Sequence, residues 1–115
     1  MSDAVAYKIL TADQWARFEA DGRFEGAPVD RADGYIHMST AAQLAETAAR
    51  HFAGQDGLIC ATIDLGALGA AVRWEPSRGG ALFPHLYGVL DRLAVIAAAP
   101  MPLGKNGRHI LPAAP

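Results

Sequence analysis

Three short stretches gather the side chains that could do chemistry. Gly34-Tyr35-Ile36-His37-Met38-Ser39-Thr40 alternates a phenol, an imidazole and a hydroxyl with apolar Ile36 and Met38. Val72-Arg73-Trp74-Glu75 sets a guanidinium and a carboxylate against Val72 and Trp74. Pro84-His85-Leu86-Tyr87-Gly88 places an imidazole and a phenol two residues apart. Side chains alternate faces along a strand, so each stretch reads as extended, with one polar face and one core face. Histidine exchanges a proton near neutral pH. Glutamate orients a ribose hydroxyl or acts as a base. The helix N-terminus expected after Ser39 offers free amides to a phosphate or carboxylate. Such a set suits a phosphorylated or nucleotide-like small molecule. Periodicity leaves open whether the three faces meet.

Each residue also has a plainer reading. An imidazole on the polar side of a strand, such as His37, is commonly a hydrogen-bonded structural group. Ser39 and Thr40 are suited to capping the helix that follows. Arg73 and Glu75 fit an ion pair on a sheet face, and Tyr87 fits packing with a wet hydroxyl. His51 reads as a cap or a solvated residue near a helix C-terminus. His109 receives no role. The four histidines lack H-x-H or H-x-x-x-H spacing and there is one cysteine, so no metal site is expected. The G-x-S-x-G elbow, the phosphate-loop signature and G-x-G-x-x-G after a strand are all absent.

The elements that must position these residues follow from patterning. Ala4 to Leu10 reads as a first strand with Val5, Tyr7 and Ile9 on one face. Thr11-Ala12-Asp13-Gln14 fits a capping box, Trp15 and Phe18 share a helical face, and Gly22 ends that helix. Arg23 to Asp33 reads as an irregular connection punctuated by Gly26, Pro28 and Gly34. Thr40-Ala41-Ala42-Gln43 repeats the capping box. Ala41, Leu44, Ala45, Ala48 and Phe52 then form a helical stripe that Gly54 stops. Gly57 to Leu65 is almost continuously apolar, which predicts a central strand covered on both faces. Asp64 to Gly69 reads as a turn or one helical turn, and Ser77 to Ala81 as a mobile loop, either a lid or a slack connector. Ala94 to Ala99 is a further strand that Pro100 and Pro102 break. Asn106-Gly107 is a turn leading to a short last strand, Arg108 to Leu111. Strands outnumber helices and the two main helices fall early. The expectation is one α+β domain over residues 1–115 with a mixed or antiparallel sheet.

Composition narrows the class. The chain has 115 residues, 51% of them hydrophobic and 19% charged, as in a globular domain able to bury a core without a staple. Its net charge of −2, with Lys and Arg scattered, lacks the basic stripe of a nucleic-acid binder. No apolar run approaches the roughly 20 residues of a membrane helix. Met1-Ser2-Asp3-Ala4 carries no charged region leading into an apolar one, so no secretory signal is expected and the default setting is the cytoplasm. The lone Cys60 lies in an apolar run and reads as a small buried hydrophobe.

The three motifs, in this order, resemble the small bacterial family called DUF952. Tyr7-Lys8-Ile9-Leu10 with Trp15 fits as well, and the resemblance spans roughly Val5 to Pro112. It implies a split β-sheet of the ADP-ribosyltransferase-like fold, a superfamily that includes NAD-using transferases and RNA 2′-phosphotransferases. His37 and Ser39 match the family's Gly-aromatic-Ile-His-x-Ser-Thr motif. Trp74 and Glu75 match its Trp-Glu pair, and His85 and Tyr87 its Pro-His-x-Tyr-Gly motif. The family resemblance implies His37, Glu75 and His85 as catalytic candidates, with Lys8, Tyr35, Ser39, Arg73 and Tyr87 as ligand contacts. NAD or a derivative such as ADP-ribose is the implied ligand, and ADP-ribosyl or phospho-transfer the implied chemistry. Many relatives carry His where this chain has Lys8, which bears on NAD chemistry; a lysine there would meet a phosphate as a point charge. Two other readings stand beside this one: a non-catalytic accessory module recognising a metabolite or a protein, and a small hydrolase using a His-Glu pair. Oligomeric state is left open by the sequence.

Overall fold

A computed structural model describes residues 4–112; Met1-Ser2-Asp3, part of the N-terminal reading, lies outside them. In chain order the elements are β1 (Val5–Thr11), α1 (Ala12–Asp21), β2 (Arg23–Phe24), α2 (Pro28–Asp33), β3 (Ile36–His37), α3 (Ala41–His51), β4 (Leu58–Asp64), α4 (Leu65–Leu68), β5 (Val72–Pro76), β6 (Leu82–Leu86), β7 (Leu90–Asp91) and β8 (Val95–Met101). The fold is α+β. Strands β1-β4-β8 form one sheet, β3-β6-β5 a second, and β2-β7 a short ribbon. Every pairing of these strands is antiparallel, so the sheet is divided rather than mixed. The two three-stranded sheets are tied through Tyr7 and Ser39, whose backbones exchange hydrogen bonds of 2.8 and 2.9 Å.

Both main helices start as their sequences dictate. Thr11 accepts the Gln14 amide while the Gln14 side chain accepts the Thr11 amide, and Thr40 and Gln43 repeat the exchange. Gly22 closes α1 in the left-handed conformation, which glycine adopts without a Cβ penalty. The apolar stripe of α3 is narrower than its spacing suggests. Leu44 and Ala48 are buried and Phe52 is half-buried, but Ala41 and Ala45 are exposed. The helix ends at His51 with Phe52 as its cap, short of Gly54.

The central strand β4 separates two cores. Leu58 and Cys60 pack with Tyr7, Ile9, Met101 and the Leu44/Ala48 face of α3. Ala61 and Ile63 pack on the other side with Ala6, Leu10, Phe18, Ile36, Met38 and Leu86. Burying a leucine-sized side chain contributes about 2 kcal/mol, so this second cluster fixes β3 against β1 and α1. Burial also pushes the Cys60 thiol up to about 12.

Several expected connections are structured. Residues 23–33 hold β2 and α2 rather than an irregular link. Pro28 occupies the first turn of α2, and Gly34 caps it in the left-handed conformation. The sequence carries both signals, but Pro and Gly punctuate helices as well as loops. Pro100 lies inside β8 because β8 is an edge strand, where a missing N–H breaks no second ladder. Ser77 to Ala81 is a tight turn between β5 and β6, closed by Ser77 N–H to the Ala81 carbonyl at 2.9 Å and Gly80 N–H to the Ser77 carbonyl at 2.8 Å. Residues 108–111 form no strand; Leu103 and His109 make a single bridge. Among the described residues, no helix is long and apolar enough to cross a membrane.

Candidate functional site

The register of the second sheet brings the three polar stretches together. His37 of β3 lies opposite His85 of β6, and Arg73 of β5 lies opposite His85 on its other side. Because β6 is the middle strand, its histidine collects neighbours from both flanks. Tyr35 stacks on the His85 ring at 4.1 Å between centroids and lies 4.7 Å from His37 and 5.2 Å from Tyr87. The two imidazoles sit edge to face at 5.5 Å. The Arg73 guanidinium lies 4.6 Å from the centre of the Tyr87 ring, a cation–π contact.

Each imidazole has a carboxylate on Nδ1. For His85 it is Glu75, at 2.8 Å, and the same Glu75 oxygen accepts the Tyr87 hydroxyl at 2.8 Å. Hydrogen bonds from His85 and then Tyr87 hold the Glu75 carboxyl below its ordinary range, against partial desolvation. The Glu75 contact in turn raises Tyr87, and burial with the nearby Asp33 and Glu75 charges raises Tyr35.

For His37 the partner is Asp30, a residue that sequence reasoning left in a connection. Asp30 is 1% exposed and stands at the third position of α2. Its Oδ1 takes His37 Nδ1 at 2.6 Å and the His37 amide at 3.1 Å. Its Oδ2 takes the Ala27 amide at 2.8 Å and the Lys8 ammonium at 2.9 Å. Burial opposes the charge, but the His37 hydrogen bonds, the Lys8 charge and the Ala27 amide outweigh it and hold the carboxyl down to about 2. Burial lowers Lys8, and Asp30 offsets part of that effect. Lys8 is thus engaged by a carboxylate rather than standing as a free point charge. The other ring nitrogen of His37 lies 2.9 Å from Asp33 Oδ2. Only a ring protonated at both nitrogens donates to both carboxylates at once.

A cleft of about 510 Å³ opens where β1 and the second sheet part beside the Tyr7–Ser39 bridge. Of the eight residues singled out from sequence, Lys8, His37, Ser39 and His85 line it. Tyr35, Arg73, Glu75 and Tyr87 do not; they gather behind His85, and Tyr35 also packs against His37. The Ser39 hydroxyl is 2.9 Å from that of Thr47, while the capping role falls to Thr40. The α3 start is also less open to an anion than expected, since Thr40 takes the Gln43 amide. Apolar walls come from Ile9, Met38, Phe52 and Phe83. Asp33 and His51 line the cleft as well. His51 was legible only as a helix-end residue, because its relation to β1 is set by how α3 docks.

The family described as "Protein of unknown function (DUF952)" matches residues 9–98, a span that contains all three motifs. The chain belongs to this DUF952 family. Protein CC0527 from Caulobacter crescentus is similar throughout: its crystal structure is 44% identical over 92% of this chain and 93% of that one, with a TM-score of 0.88. The solution NMR structure of CC0527 is 44% identical over 92% and 91% of the two chains, with a TM-score of 0.83. No curated protein matches the chain. The DUF952 span begins within β1 and ends within β8, so it takes in both sheets and every group around the cleft except Tyr7 and Lys8.

Proposed function

We propose that this DUF952 domain binds a nucleotide-derived or phosphorylated small molecule, such as NAD or ADP-ribose, in the cleft beside β1. One observation carries the reading. Two imidazoles, each with a carboxylate on Nδ1, meet at one wall of a cleft whose other walls are largely apolar. Small-molecule sites combine an apolar lining with a few fixed polar groups in a volume of roughly 300–1,000 Å³, and this cleft falls within that range. Ile9, Met38 and Phe52 suit a flat heterocycle, and His37 with His85 suits ribose and phosphate groups. Glu75 enters this reading as the partner of His85, and Lys8 as the counter-ion of Asp30. The ADP-ribosyltransferase-like grouping belongs to the same proposal; a division into two antiparallel sheets with the cleft at their junction is consistent with it.

The test is a thermal-shift panel on the full chain with NAD, ADP-ribose, nucleotides and phosphosugars. A ligand at about 100 times its Kd stabilises by roughly 2.7 kcal/mol, a rise of several degrees. His37→Ala and His85→Ala should each remove that rise. If no compound raises the melting temperature at millimolar concentration, the reading fails. Incubation with the best binder then separates a transferase from an accessory module, which would return the ligand unchanged.

A further inference from the structure

His85 is the most deeply buried imidazole of the site, 2% exposed, yet it lines the cleft. Its Nδ1 faces Glu75 at 2.8 Å. Glu75 also accepts the Tyr87 hydroxyl and is held below the ordinary glutamate range, so it is a carboxylate with only acceptor atoms. Nδ1 must therefore carry the proton of that hydrogen bond. In the neutral ring this leaves a lone pair on Nε2. Among the described residues Nε2 has no hydrogen-bond partner. Tyr35 covers one face of the ring, and Glu75 holds its Nδ1 edge away from the cleft. The edge carrying Nε2 is left for the cleft. A nitrogen acceptor turned to the cleft takes a hydrogen bond from any donor that enters it.

We propose that Nε2 of His85 is the acceptor for a hydroxyl group of the cleft's ligand, so that the site selects sugar-like or polyol ligands carrying a free hydroxyl. Glu75 and Tyr87 are positioning residues: they fix the tautomer and the ring, and touch no ligand. The inference deepens the proposed function, since a ribose is one source of such a hydroxyl, but it does not require a nucleotide. It also separates the two histidines. Both ring nitrogens of His37 are taken up by carboxylates, whereas His85 keeps Nε2 for a ligand as an acceptor.

The experiment is long-range ¹H–¹⁵N NMR of the histidine rings in the full chain, free and titrated. The titrants are D-ribose, myo-inositol, glycerol, 2-deoxyribose and ADP-ribose. The free protein should show His85 protonated at Nδ1 with an acceptor Nε2. Glu75→Ala should move the proton toward Nε2, a change that lost packing alone would not produce. Hydroxyl-bearing titrants should shift Nε2, and removal of the contacted hydroxyl should weaken binding at least tenfold. A proton on Nε2 in the free wild type overturns the inference. So does ADP-ribose binding in the cleft that leaves Nε2 unmoved, although the proposed function then stands. Failure of every hydroxyl-bearing titrant to move Nε2 also overturns it. Simple polyols moving Nε2 while ADP-ribose does not would uphold the inference and sink the nucleotide reading alone.

Discussion

Replacing Asp30 by Ala should destabilise the domain more than any change at the histidines. The substitution removes the carboxylate that meets Lys8 Nζ at 2.9 Å, His37 Nδ1 at 2.6 Å and the amides of Ala27 and His37. It strands an ammonium whose side chain is 8% exposed. Breaking a buried ion pair by removing one partner costs about 3–5 kcal/mol, because the remaining charge keeps its desolvation penalty. In a domain of this size that lowers the melting temperature by roughly 10 °C or more. Urea unfolding followed by circular dichroism measures the loss directly. Most of the cost lies in the abandoned ammonium, so Lys8→Met in the Asp30→Ala background should recover about 2 kcal/mol. A loss below about 1 kcal/mol for Asp30→Ala would refute the reasoning. So would a double variant whose loss equals the sum of the two single losses, since that would mean the two groups are not coupled.

Acid should act through the same carboxyl. The folded Asp30 carboxyl lies at about 2 against an ordinary 3.8, so the folded state binds this proton less readily than the unfolded chain. Its contribution, about 2 kcal/mol, is full above about pH 4 and disappears as pH falls to about 2. Urea midpoints measured from pH 5 to pH 2 should therefore fall more steeply for the wild type than for Asp30→Asn, and parallel curves would count against it. Gly26→Ala should also cost roughly 1–3 kcal/mol, because Gly26 has φ of +115° and an added Cβ would stand 2.9 Å from the Asp30 Cβ. The His37 ring resonances should shift in that variant, and an unchanged melt with unchanged resonances would refute the close approach.

Local signals were enough for the frame of the fold. Thr11/Gln14 and Thr40/Gln43 form capping boxes wherever a helix starts there, because the exchange is complete within four residues. Alternation sufficed to send Ile36 and Met38 into the core and to turn Tyr35 and His37 together. The continuous apolar run at Leu58–Asp64 marked the central strand. Residues 23–33 read as a connection from sequence because each of their signals has two meanings: Pro28 and Gly34 bracket a short helix as readily as they interrupt a loop. Asp30 was missed with them. A lone aspartate gives no sign that a lysine 22 residues earlier will be buried against it.

By itself, then, the sequence determined the strands and helices that carry the polar side chains, and the motif order that marks the family. Only the tertiary structure decided that His37 and Arg73 flank His85 across β6, that Asp30 joins Lys8 to His37, and that four of the eight expected residues face the cleft while four stand behind it. The physical reason is the range of the interactions involved. Capping and alternation are set by covalent neighbours within a few residues. Register, ion pairing and a cleft between sheets depend on which distant segments must pack together to bury Ile36, Met38, Ile63 and Leu86 in one core.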